Sequence, residues 1–197
     1  MSLPLTPVTL DGSVVRLEPL SLDHLDALAE VGLDPDLWAL TVARVTNRDD
    51  LKRWIESALV EARAGRALPF VTVERASGRI AGSTRFGNYA PFDGRVEIGW
   101  TWVAREWQRS GVNTDAKLQL LTHAFETLGC GRVELKTDVL NHRSRNAMLR
   151  LGAREEGILR KHARTEGGRV RDTIYFSVVD DEWPEVKRRL QSLLASH

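Results

Sequence analysis

Residues 108 to 114 read Gln-Arg-Ser-Gly-Val-Asn-Thr, after a strand-like run ending near Val103 and before a long stretch of helical spacing. A helix start offers free main-chain N–H groups and the positive end of the helix dipole, and both attract phosphate oxygens. Gly111 lets a backbone approach such a group closely, and Arg109 adds a charge. Gln108, Arg109, Ser110, Gly111, Val112, Asn113 and Thr114 are therefore candidates for a diphosphate cradle. The same pattern also describes an ordinary capped helix with a solvated arginine, which is the commoner use of such a start. The nucleotide fingerprints GxxxxGKS/T and GxGxxG are absent. Gly129-Cys130-Gly131 follows a helical stretch and reads as its stop.

The surrounding elements follow from periodicity and punctuation. Val14–Leu20 alternates as a strand, and Ser21 caps a short helix with Leu22, Leu25 and Leu28 on one face. Residues 34–46 are irregular. A helix from Asn47 places Leu51, Trp54, Ile55, Ala58, Leu59 and Ala62 on one side and closes at Gly65. Phe70–Tyr89 reads as two strands with a turn at Ala76–Arg79, and Val96–Val103 as another. An amphipathic helix opens near Gly111, with Leu118, Leu121, Phe125 and Leu128 as its buried stripe. Arg132–Val139 is a strand, and Asn141 caps a helix that ends at Gly152. Ala153–Arg164 and Arg171–Val179 form two strands turned by Gly167–Gly168, and a last helix covers 181–196. The order β-α-α-β-β-β-α-β-α-β-β-α predicts a single α/β domain over 1–197 with a central mixed sheet. Strand alternation places Glu97, Gly99 and Thr101 on one face and Ile98, Trp100 and Trp102 on the other.

Four motifs in this order resemble the GNAT N-acetyltransferases. Gln108-Arg109-Ser110-Gly111-Val112-Asn113 is similar to the Q/R-x-x-G-x-G/A acetyl-CoA motif. Asn141-His142-Arg143-Ser144 and Arg150-Leu151-Gly152-Ala153 match the N-x-x-S and K/R-L-G-F helix. Glu156-Gly157, Gly168, Arg171-Asp172 and Tyr175 match the closing strands. The likeness covers about residues 10–185 and is nearest the branch of ribosomal-protein N-terminal acetyltransferases. It implies a mostly antiparallel sheet, splayed between two parallel middle strands that end at Val103 and Val139. It implies acetyl-CoA as acyl donor, its pantetheine arm beside Val103, its diphosphate on the 109–114 N–H groups, and Asn141 bonded to the arm. Asn141 also suits a helix N-cap. Two positions depart from the family. Asn113 stands where glycine or alanine is usual, and Met148 stands where many relatives carry a tyrosine general acid.

Acetyl transfer to an amine needs a neutral amine, a stabilised oxyanion and a leaving thiolate. At pH 7 roughly 10% of an α-amine is neutral, against ~0.04% of a lysine side chain. Glu97, eleven positions before Gln108, stands where several relatives carry a catalytic glutamate, and Gly99 leaves room beside it. It is the candidate base, and Ser144 the candidate acid. A backbone N–H near Val103 is the candidate oxyanion donor. Trp38 is a candidate wall of the acceptor pocket, with core packing as its other reading. His123 and His162 are possible lining residues, and Cys130 is read as passive.

Composition narrows the remaining classes. The 197 residues carry a net charge of +1 and are 42% hydrophobic and 28% charged, an ordinary globular balance. No apolar run approaches a bilayer span, the start does not read as a signal peptide, and one cysteine suits a reducing compartment. A cytoplasmic, membrane-free protein is expected. The histidines (His24, His123, His142, His162, His197) show no metal-ligand spacing, so no metal is expected. Residues 132–171 hold eleven Lys/Arg against five Asp/Glu, an excess that suits a small polyanion or a solvated basic face. Nucleic-acid binding is disfavoured because no recognised motif or aromatic interleaving accompanies that excess. The acceptor class is a protein N-terminus or a small-molecule amine, and a homodimer is compatible with the resemblance. A non-catalytic acyl-CoA-binding module is the alternative, motivated by Asn113 and Met148.

Overall fold

The structure, a computed structural model, describes residues 4–196. Met1 to Leu3 and His197 of the expected 1–197 domain lie outside the described residues. Eight strands form one sheet in the order β1-β2-β3-β4-β5-β6-β8-β7. They are β1 (Leu10–Asp11), β2 (Val15–Pro19), β3 (Leu68–Glu74), β4 (Ile80–Ala90), β5 (Arg95–Val103), β6 (Arg132–Asp138), β7 (Arg154–Arg164) and β8 (Val170–Val179). β5 and β6 are parallel, and the other neighbours are antiparallel. The helices are α1 (Leu25–Gly32), α2 (Pro35–Trp38), α3 (Arg48–Arg63), α4 (Val112–Thr122), α5 (His142–Leu151) and α6 (Trp183–Ala195).

Local signals set most boundaries. The Asn47 side chain accepts from Asp50 N–H at 2.9 Å and starts α3. The Asn141 side chain accepts from Ser144 N–H at 3.0 Å and starts α5. Gly152 ends α5 at φ +109, a left-handed conformation that glycine adopts without a Cβ clash. β1 and the single turn α2 were not expected, both being too short to leave a periodic signature.

α1 and α3 cover one face of the sheet, while α4 and α6 pack together on the other. Arg85 and Phe86, adjacent on β4, mark the two sides: Arg85 meets Trp54 of α3, and Phe86 meets His123 at the end of α4.

Two expectations need correction. α4 is not amphipathic: Thr114, Asp115 and Lys117 are buried together with Val112, Ala116, Leu118, Leu120 and Leu121. Polar residues survive there because they have tertiary partners. Asp115 Oδ2 accepts from Val14 N–H at 2.6 Å and Val15 N–H at 2.9 Å, tying α4 to the start of β2. Asp115→Ala leaves both amides without an acceptor and is expected to cost about 2–4 kcal/mol, read from the denaturation midpoint.

The second correction concerns Trp100. Ser83 pairs with Trp102 while Arg85 pairs with Gly99, so β5 holds one extra residue there. Trp100 lies in this bulge at φ +50. Its ring lies over Gly87, where a Cβ would come within 2.4 Å of it. Gly87 pairs with Glu97, so Trp100 shares the Glu97 face instead of opposing it.

Candidate active site

β5 and β6 pair only over Arg95–Glu97 with Arg132–Glu134. Both strands run on, to Val103 and Asp138, without pairing each other, and a cavity of about 1260 Å³ opens along this cleft. A chain laid in the cleft would meet strand edges whose main-chain groups face no neighbouring strand.

The 108–114 turn forms one end of the cavity. Gln108 donates to the Val103 carbonyl at 2.9 Å and accepts from Arg143 at 2.9 Å, linking strand end, turn and α5. Ser110 donates to the Trp107 carbonyl at 2.6 Å, and Arg109 holds φ +63. Gln108, Arg109, Ser110 and Asn113 line the cavity, as do Val103 and Asn141. Gly111, Val112 and Thr114 lie behind them, so their side of any anion site is main chain alone. The N–H groups of Gly111, Asn113 and Thr114 have no protein acceptor among the described residues.

Gly111 has a different reason from the one its motif suggested. Its φ is −67, and a Cβ there would sit 3.3 Å from Val14 and 3.5 Å from Leu194. The glycine serves packing behind the turn, where β2 and α6 press against it.

Glu97 is 2% exposed and lines the cavity. Its Oε2 accepts from Lys136 Nζ at 2.8 Å and from Asn88 Nδ2 at 2.6 Å. Oε1 turns toward Gly99, where a Cβ would come within 2.8 Å of it. Burial disfavours the Lys136 charge, but Glu97 and Tyr175 beside it hold its pKa above the usual lysine value. Ser144, half-buried in the first turn of α5, lines the same cavity. Met148 lines it too, with its side chain mostly buried.

Sequence reasoning missed Arg85, Lys117, Trp54 and Trp100, all of which line the cavity. Lys117 is 6% exposed and donates to Thr101 Oγ1 at 3.0 Å. Burial pushes its amine down to about 7. An unfolded lysine keeps its proton to about 10.4, so between pH 7 and 10 the unfolded chain binds more protons. Stability is therefore expected to rise with pH over that window, and Lys117→Met is expected to flatten the rise in denaturant titrations.

Trp38 is buried, donates to the Gly32 carbonyl at 2.6 Å and packs against Trp54 and Trp102. It does not line the cavity, so core packing is its role. His162 lines the cavity edge-on to Tyr175, whereas His123 packs on Phe86 away from it. Cys130 is buried outside the cavity, and its thiol is pushed up to about 11. Among the described residues no cluster of His, Cys, Asp and Glu is placed to hold a metal ion, and no helix is long and apolar enough to cross a membrane.

A sheet split between parallel β5 and β6, with a helix start at the mouth of the split, defines an α/β domain with an open cleft along its middle strands. The chain belongs to the GNAT acetyltransferase family: residues 15–154 match the acetyltransferase (GNAT) domain. It is similar to YdaF of Bacillus subtilis (strain 168), provisionally named a ribosomal N-acetyltransferase, at 34% identity over 54% of this chain. That match spans about 57% of YdaF. A GCN5-related N-acetyltransferase from Brucella melitensis superposes with TM-score 0.89 at 31% identity, covering 98% of this chain and 88% of that one. Mycobacterium smegmatis RimJ, solved in complex with CoA-disulfide, superposes with TM-score 0.78 at 26% identity, covering 96% and 95%. These relatives support the RimJ/RimL-like branch.

Proposed function

We propose that the protein transfers an acetyl group from acetyl-CoA to a primary amine, either a protein N-terminus or the amine of a small molecule. The observation that carries this reading is the unpaired β5–β6 cleft, which joins the turn at Arg109–Thr114 to the buried carboxylate of Glu97. The residues fit the carrier. N–H groups without acceptors, with Arg109 and Arg143 at the mouth, suit a diphosphate, and the free strand edges suit an amide-bearing arm. Acetyl-CoA supplies the activated acyl group. The chain itself orients the amine, receives its proton and shields the reaction from water.

In this reading Glu97 takes the proton of the amine directly or through a water, and Lys136 and Asn88 fix the carboxylate. Ser144, which lines the same cavity, is the group this reading assigns to protonate the departing sulfur. A main-chain N–H near Val103 is the donor this reading assigns to the developing oxyanion.

The test is thiol release from acetyl-CoA against a panel of amines, with CoA affinity measured separately by calorimetry. Sustained release with an acceptor is expected. Tight CoA binding with no release on any amine would make the protein a binding module instead.

A further inference from the structure

Lys117 is a buried lysine that the transfer steps leave unused. It is 6% exposed and lines the cavity. Its Nζ donates to Thr101 Oγ1 at 3.0 Å, and it makes no ion pair among the described residues. Burial is the one cause of its lowered pKa, so no acid stands near enough to hold its charge. One N–H is spent on Thr101, and either protonation state leaves at least one more. A leucine would fill the same helix position without burying an amine. The spare donor is a cost unless something besides the folded chain accepts it.

The position of Lys117 indicates where that acceptor comes from. Asn113 and Lys117 are four residues apart on α4, so they share a helix face one turn apart, about 5.4 Å along the axis. Both line the cavity, Asn113 at the turn and Lys117 one turn deeper. Across from Lys117 stands Thr101 of β5, two residues before Val103, which also shares a hydrogen bond with Thr84 of β4 at 2.8 Å.

The bulge in β5 decides which side of the sheet this is. Trp100 lies on the Glu97 face, Thr101 turns to α4, and Trp102 turns back toward Gly32 at the end of α1. Lys117 therefore meets the cleft from the α4 side, opposite the face of Glu97. It is not placed to exchange a proton with an amine held at Glu97. It stands instead where a chain that leaves the 108–114 turn enters between β5 and β6.

Resting on the acetyl-transfer reading, we propose that Lys117 anchors the pantetheine arm of the carrier, donating a hydrogen bond to an oxygen of the arm where it leaves the diphosphate and enters the cleft. The arm supplies amide carbonyls and a hydroxyl that can accept. Thr101 already holds the amine at the wall, so the contact costs little further side-chain ordering. Lys117 is then a positioning residue that reads the arm and not the phosphates.

The experiment measures the calorimetric affinity of the full chain for two ligands: CoA, and 3′-phospho-ADP, which is CoA cut off before its arm. Lys117→Met keeps the apolar stem and removes the amine. It is expected to weaken CoA about tenfold, the size of one hydrogen bond from a buried donor, and 3′-phospho-ADP by less than about twofold. Lys117→Gln, which keeps an N–H donor on a shorter side chain, is expected to fall between Lys117→Met and wild type. A thermal melt reports folding, and if Lys117→Met does not fold, Lys117→Gln decides by the same comparison. Equal weakening of both ligands would assign the amine to the phosphates or to the fold, and overturns the anchor. Unchanged affinity for both overturns it too. The wild type tests the underlying reading separately. No CoA binding there ends the acetyl-CoA reading and the anchor together, whereas CoA binding that ignores Lys117 ends the anchor alone.

Discussion

Asn113→Glu is expected to weaken CoA binding about a hundredfold or more while leaving the protein folded. Asn113 is the second residue of α4 and lines the cavity at the turn. A carboxylate in the first turn of a helix is favourable by about 0.3–1 kcal/mol, because it faces the positive end of the dipole. The same carboxylate repels a bound diphosphate. Two like charges about 4 Å apart at an effective dielectric near 20 oppose each other by about 4 kcal/mol, enough for a loss of that size. Folding and binding are thus pushed in opposite directions by one substitution, which a general loss of structure cannot imitate. Calorimetry with CoA, beside a thermal melt, reads both. Unchanged affinity in the folded variant would place the diphosphate somewhere else.

Glu97→Gln is expected to lower kcat about a hundredfold or more and to change CoA affinity by less than about twofold. The substitution keeps shape but removes the proton acceptor. It also leaves buried Lys136 without its counter-ion, so some loss of stability accompanies it. The two effects are separated by measuring kcat on protein shown to be folded, across pH. A variant with wild-type turnover at every pH would remove Glu97 from proton transfer. Gly99→Ala offers a milder companion, since its Cβ would press on Oε1 from 2.8 Å.

Legibility varied with the range of the interaction responsible. Helix starts at Asn47 and Asn141 and the stop at Gly152 were readable because each cap is made within three or four residues of itself. The parallel middle pair and the cleft came through motif order rather than periodicity. Arg85 and Trp54 gave no signal at all, since an arginine in a strand and a tryptophan on a helix stripe describe surface and core anywhere. Trp100 was misplaced because alternation assumes an unbroken strand, and one inserted residue turned its ring onto the other face.

The sequence by itself determined the order of most elements, their caps and turns, and the position of the 108–114 turn ahead of a helix. Those depend on neighbours a few residues away, whose chemistry is printed in the chain. Only the tertiary structure decided that Asp115 secures the start of a strand 100 residues earlier, that Glu97 lies locked by Lys136 from the next strand, and that Arg85 is buried against the rings of Trp54 and Trp100. Each of these is settled by which distant group shares a dry interior with which, and that becomes definite once register, bulge and helix packing fix the partners.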